Sequence, residues 1–162
     1  MQDLTVIKVG GAIVEDEARL SRLLDDFAKI QGAKVLVHGG GRRATKVAAA
    51  LGIETKMVAG RRVTDADMLE VVTMVYGGLV NKNIVARLQG RGVNALGLTG
   101  ADMNVIRSHQ RPPVKVDNPD KGSSELVDYG FVGDVDFVDG QALASISAAV
   151  IASPRCSISC LI

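Results

Sequence analysis

With 162 residues, 47% apolar content, only 3% aromatic content and no Trp, the chain can bury one core made mostly of aliphatic side chains. A formal charge of +1 excludes a dedicated nucleic-acid surface, which needs a large basic excess to neutralise phosphates. The sequence has no apolar run of bilayer length and no charged-then-apolar secretory start, so a cytoplasmic protein without a membrane span is expected. Cys156 and Cys160 have no histidine near them in sequence, the two histidines being His38 and His109, so no metal site is expected.

In chain order, Leu4 to Val9 reads as a buried strand stopped by Gly10-Gly11. Residues 15–31 read as a helix, with Leu20, Leu23, Leu24, Phe27 and Ile30 on one stripe, acids in the first turn and Gly32 just past the end. Lys34 to His38 is a second strand, ending in Gly39-Gly40-Gly41, and residues 44–51 a second helix closed by Gly52. Strands alternating with helices at this spacing imply a parallel βαβ unit. Residues 56–63 suggest extended or hairpin structure.

Thr64 with Asp67 resembles a capping box opening the longest helix, residues 65–90. Its internal Gly77-Gly78 pair suggests close packing, a dimer seam being one option. Short strands follow at 94–99, 105–106 and 114–116, then a polar loop at 118–124 and a strand at 131–138. A helix over 141–149 is expected to feed a last strand at 150–152. Beyond it, Ser153 to Ile162 follows no period, and the chain stops before its architecture does.

Two glycine clusters thus follow two parallel strands, at the edge where open α/β sheets bind ligands. Without Cβ atoms, backbone N–H groups can approach an anion closely, and a helix start adds favourable partial charge. Lys8 lies in an otherwise apolar run, where a charge is costly unless a ligand justifies it. A fixed ammonium beside two donor loops suits a transferring phosphoryl group; the plain alternative is tight turns and a solvated lysine. Gly39, Gly41 and Ala44 also match a dinucleotide fingerprint, but Arg61-Arg62 stands where a ribose-binding acid is expected. That arginine pair reads either as a carboxylate clamp or as a solvated basic turn.

Lys8-Val9-Gly10-Gly11, His38-Gly39-Gly40-Gly41 and Gly60-Arg61-Arg62-Val63-Thr64 resemble the early motifs of the N-acetylglutamate kinases, within the amino-acid kinase superfamily. Asn81-Lys82, the stretch from Gly97 to Asp102 and that from Gly130 to Val135 look like further landmarks of that family in the same order. The resemblance implies a three-layer αβα sandwich on a mainly parallel open sheet, here truncated. Residues 1–150 would be the acyl-glutamate-binding and dimerisation domain, and 151–162 an atypical tail, with the nucleotide-binding half absent. A truncated or frame-shifted reading would account for that tail.

By this resemblance Lys8 stabilises the transition state, Gly10 and Gly11 donate to the transferring phosphate, Gly40 and Gly41 hold the acylated amino acid, and Arg62 clamps its α-carboxylate. The implied reaction phosphorylates the γ-carboxylate of N-acetyl-L-glutamate with ATP and Mg, in arginine biosynthesis, by a cytoplasmic homodimer. A chain without the nucleotide half could instead be a non-catalytic acyl-amino-acid-binding fragment. The dinucleotide-binding reading is the more distant alternative. Starting directly at its first strand, the chain lacks the leading helix of arginine-inhibited relatives, so arginine inhibition is not expected.

Overall fold

The computed structural model describes residues 4–118, 123–151 and 156–161. Its centre is a four-stranded sheet of β1 (Leu4–Val9), β2 (Ala33–His38), β10 (Cys156–Leu161) and β5 (Asn94–Leu98), in the order β1-β2-β10-β5. Every pairing in it is parallel, with Lys8 level with Val37 and Val9 level with His38. Alternation along the strands then sends Ile7, Val9, Leu36 and His38 to one face. On that face lie α2 (Glu17–Lys29), α3 (Gly41–Ala50), α4 (Ala66–Thr73) and α5 (Asn81–Gln89). Leu24, Phe27, Leu36 and Leu88 are almost solvent-free in this layer. Burying each such side chain contributes about 1.5–3 kcal/mol.

The opposite face carries Val35, Leu96 and Leu98, packed against Ile146 of α6 (Gly140–Ile151). Helices on both faces of a parallel sheet make the expected three-layer α/β sandwich. Three antiparallel pairs complete the chain. These are β3 (Met57–Val58) with β4 (Arg61–Arg62), β6 (Ile106–Gln110) with β9 (Gly133–Val138), and β7 (Val114–Asn118) with β8 (Ser123–Val127).

Several elements differ from the sequence reading. A short helix, α1 (Gly11–Glu15), follows the first glycine pair, so α2 starts at Glu17 instead of residue 15. Asp16 caps α2, its carboxylate accepting from the Arg19 N–H at 2.9 Å. The cap of the long helix is Asp65, not Thr64: Asp65 Oδ1 accepts from the Met68 N–H at 2.9 Å. Thr64 is instead bonded through its backbone to Tyr129 and Phe131.

The long helix does not break at Gly77-Gly78. It widens into a π-helical segment over Met74–Val80 between α4 and α5. Its buried stripe runs Met68, Val71, Val75, Val80, Ile84 and Leu88, and the one step of five residues falls in the widened turn.

The end of the chain also departs from expectation. Val150 and Ile151 belong to α6 instead of a strand, and Ala152 lies outside the described residues. The segment read as unpatterned supplies β10, inserted between β2 and β5. Most of the polar loop expected at 118–124, residues 119–122, also lies outside the described residues.

Candidate functional site

Parallel pairing brings the carboxyl ends of β1 and β2 side by side, and both glycine clusters leave from that rim. Gly10 is the N-cap of α1 and Gly40 the N-cap of α3, and neither helix start receives a side-chain cap. The first turn of α3 contains no acid and carries two exposed arginines, Arg42 and Arg43. A helix start disfavours cations through its own dipole, so this end is electrostatically unbalanced until an anion joins it. A Cβ built on Gly10, Gly11 or Gly39 would meet nothing within 4 Å, so the loops border open space. Gly40 is different: its Cβ would stand 2.7 Å from Cδ1 of Tyr76, so the missing side chain is what lets that ring lie on the loop.

Arg62 reaches the same loop from the β3–β4 hairpin. Ala59 and Gly60 form the hairpin turn with φ of 47° and 75°, the left-handed pair that a tight two-residue turn requires. From β4 the Arg62 Nη2 donates to the Gly41 carbonyl at 2.7 Å and to Thr45 Oγ1 at 2.6 Å. The hairpin is itself anchored: the Thr64 N–H donates to the Tyr129 carbonyl at 2.9 Å and the Phe131 N–H to the Thr64 carbonyl at 2.7 Å. A Cβ on Gly130 would fall 2.2 Å from the Thr64 oxygen. The stretches around Arg62 and Gly130, distant in sequence, are therefore one structural unit that aims the guanidinium at α3.

A buried polar link braces the rim from below. His38, the residue before the glycine triplet, is buried, as is Asn81 at the start of α5. Asn81 Nδ2 lies 3.2 Å from His38 Nε2 and 3.4 Å from the Leu98 carbonyl, which identifies it as the amide N–H2. His38 Nε2 then accepts, and its Nδ1–H faces the Gly39 carbonyl at 3.3 Å. Burial pushes the His38 pKa below its usual value, against a smaller opposing effect of the Gly39 carbonyl. The link joins the ends of β2 and β5 to the long helix. At the end of β5, the Asp102 carboxylate accepts from the Thr99 N–H at 2.5 Å and from its hydroxyl at 2.8 Å, and these bonds hold its pKa below the usual range.

Lys8 is placed otherwise than its apolar neighbours suggested. Leu4, Val6 and Lys8 share one exposed face of the edge strand β1, so the ammonium is solvated and not buried. It stands level with Val37, one residue inside the rim, on the face away from His38. The structure thus joins Arg62 to Gly41 directly and puts Gly10, Gly11 and Lys8 on the neighbouring strand end. Arg61 is exposed. A cavity of about 230 Å³ lies elsewhere, lined by Glu15, Arg43, Lys46 and Asn83 among others, and the glycine loops do not contribute to it. Among the described residues no helix is long and apolar enough to cross a membrane.

Sequence reasoning missed Tyr76, Asn81 as the partner of His38, and the arginines of the first α3 turn. Tyr76 is the single aromatic residue in the long helix, and that isolation was a readable signal.

Comparison with known proteins agrees with this architecture. The chain is 69% identical over 145 residues to the acetylglutamate kinase of Bacteroides thetaiotaomicron, covering 90% of this chain and 52% of that relative. It is 65% identical over 146 residues to the acetylglutamate kinase of Parabacteroides distasonis, covering 90% and 53%. The chain therefore spans about half the length of the curated relatives it matches. Among solved structures, smu.665 from Streptococcus mutans UA159 superposes with a TM-score of 0.65 at 25% identity, covering 97% of this chain and 58% of that one. The profile of the amino acid kinase family matches residues 3–152. With strands, glycine rim and Arg62 hairpin arranged as above, the chain belongs to the amino acid kinase family.

Proposed function

We propose that this chain carries the acyl-amino-acid site of an acetylglutamate kinase, which transfers the γ-phosphoryl group of ATP to the γ-carboxylate of N-acetyl-L-glutamate. The observation that carries the reading is the start of α3. It has no cap and no acid, bears Arg42 and Arg43, and is met at Gly41 by Arg62. Such a helix end suits a carboxylate. The Arg62 Nη2 rests on the Gly41 carbonyl and Thr45, and a bound α-carboxylate takes bonds from the same fork.

Gly40 and Gly41 hold the acylated amino acid. Gly10 and Gly11 offer N–H groups to the transferring phosphate, and the open space where their Cβ atoms would stand fits a phosphate oxygen. Lys8, solvated on the edge strand, supplies a mobile ammonium to the charge that develops between donor and acceptor oxygens. ATP brings Mg2+ with it as co-substrate. The carboxylate oxygen forms the new bond to phosphorus as the bond to the ADP oxygen breaks. An ionised carboxylate needs no general base at neutral pH, so the protein contributes positioning and charge neutralisation. Residues 1–150 act as the substrate-binding and dimerisation domain. The long helix forms the seam of a homodimer, supported by the exposure of Met74 and Leu79 on it. A cytoplasmic location goes with this reading, and the stretch read from sequence as a tail contributes β10 to the sheet of that domain.

Calorimetry with N-acetyl-L-glutamate tests it. Arg62→Ala should weaken binding by about 1.5–3 kcal/mol, and undiminished affinity in that variant would overturn the reading. A second reading is a binding module without turnover. A coupled ADP-release assay with MgATP separates the two: steady turnover rules out the module, and its absence rules out an enzyme complete in this chain.

A further inference from the structure

The ring of Tyr76 lies along the second glycine loop. A Cβ on Gly40 would be 2.7 Å from its Cδ1 and 3.0 Å from its Cε1, and a Cβ on Gly41 would be 3.3 Å from its hydroxyl oxygen. The ring therefore runs from Gly40 toward Gly41, with its polar end beside the first residue of α3. Arg62 bonds the carbonyl of that same Gly41 at 2.7 Å. A guanidinium and a phenol thus meet at one backbone position, and only the guanidinium is engaged. The Tyr76 ring is half-buried against the core, yet its hydroxyl has no hydrogen-bond partner among the described residues. That hydroxyl is not among the buried polar atoms, so it is open at the loop, where a ligand can take the bond that water otherwise supplies. Tyr76 also sits in the widened π turn, a feature concentrated at functional sites.

A phenol at neutral pH is an uncharged donor. It adds little to the recognition of a carboxylate, for which Arg62 and the α3 N–H groups already suffice. It matches a neutral acceptor, and in an N-acylated amino acid that acceptor is the acyl carbonyl, two bonds from the α-carbon that bears the clamped carboxylate.

We propose that Tyr76 reads the acyl group: its hydroxyl donates to the acyl carbonyl oxygen of the N-acyl-amino acid whose α-carboxylate Arg62 holds. The assignment rests on the reading of the Gly40–Gly41 loop as the acyl-amino-acid site. It makes Tyr76 a specificity residue that separates acylated from unacylated ligands of the same charge.

The test is calorimetry on the whole 162-residue chain with two probes, N-acetyl-L-glutamate and glutarate. Glutarate keeps both carboxylates and lacks the acylamino group. Tyr76→Phe keeps the ring on Gly40, so its melting temperature should match that of the parent. It should weaken N-acetyl-L-glutamate roughly 3- to 10-fold, the loss of one neutral hydrogen bond, and leave glutarate unchanged. Arg62→Ala should weaken both. Equal affinity of parent and Tyr76→Phe for N-acetyl-L-glutamate, with Arg62→Ala still weakened, overturns the role of Tyr76 and leaves the site standing. Equal losses on both probes in Tyr76→Phe overturn it too, since the hydroxyl would then not be sensing the acyl group. If the parent binds neither probe, the underlying site fails and the Tyr76 assignment fails with it.

Discussion

The Asn81 amide nitrogen stands 3.2 Å from Nε2 of His38, and because an amide N–H2 can only donate, the buried imidazole is held neutral. Protonation would set two donors against each other where water does not reach. The burial-lowered pKa of His38 acts in the same direction.

Stability should therefore depend on pH through this residue. The folded pKa lies below the ordinary 6.5 of the unfolded chain, so between the two values the unfolded chain binds more protons. The contribution is complete above the unfolded pKa and is lost as pH falls through that window. Thermal melts from pH 8 to pH 5 should show a steeper decline for the parent than for His38→Gln, which still accepts from Asn81 and does not titrate. Parallel curves would refute it.

Removing the donor is the complementary change. Asn81→Leu fills a similar volume but leaves the imidazole acceptor and the Leu98 carbonyl without this amide, and should cost about 1–3 kcal/mol. Urea unfolding measures it. Gly97→Ala should disturb the same link from the opposite side, since its Cβ would stand 2.0 Å from Asn81 Oδ1.

Gly40→Ala tests the contact with Tyr76. The new methyl would lie 2.7 Å from the ring, so a steric penalty is expected. A destabilisation of about 1–3 kcal/mol is expected. Combining it with Tyr76→Leu should cost less than the sum of the single changes, a coupling that a double-mutant cycle reads directly.

Gly130→Ala should be more damaging than either. Gly130 has φ of 72°, and its Cβ would stand 2.2 Å from the Thr64 carbonyl, so strain and collision add. A loss of about 2–5 kcal/mol follows. It should also weaken N-acetyl-L-glutamate, because the Thr64 segment anchors the Arg62 hairpin. Gly78→Ala is the control: nothing lies within 4 Å of its Cβ position, and helical Gly→Ala should stabilise by about 0.5–1 kcal/mol. Denaturation midpoints of the two variants should move in opposite directions.

Local pattern accounts for much of what was legible beforehand. The apolar stripe of α2, the two strands ending in glycine and the β3–β4 hairpin are set by residues close in sequence, and their positions agree with the alternation of Val, Leu and Gly. Arg62 stood out through the resemblance carried by Gly60 to Thr64, the arginine pair alone reading equally well as a solvated basic turn. What escaped notice depends on distant contacts. Nothing near Gly40 announces a ring from residue 76, and nothing near His38 announces Asn81. The exposure of Lys8 was not legible because an apolar run says nothing about which strand lies at the edge. Ser and Cys at alternate positions hid β10, whose place comes from the gap between β2 and β5 and not from its own hydrophobicity.

The π-helical turn at Met74–Val80 can be regarded as one surplus residue spliced into an ordinary helix. Since Val75 and Val80 both face the core across it, the flanks keep the alignment they would have without that residue. Deleting one position among 76–79 should thus return the segment to 3.6-residue turns with its inward side intact. Such a shortened protein would melt close to the parent while presenting a different residue to the second glycine loop. Architecture and recognition in this helix are separable by a single codon.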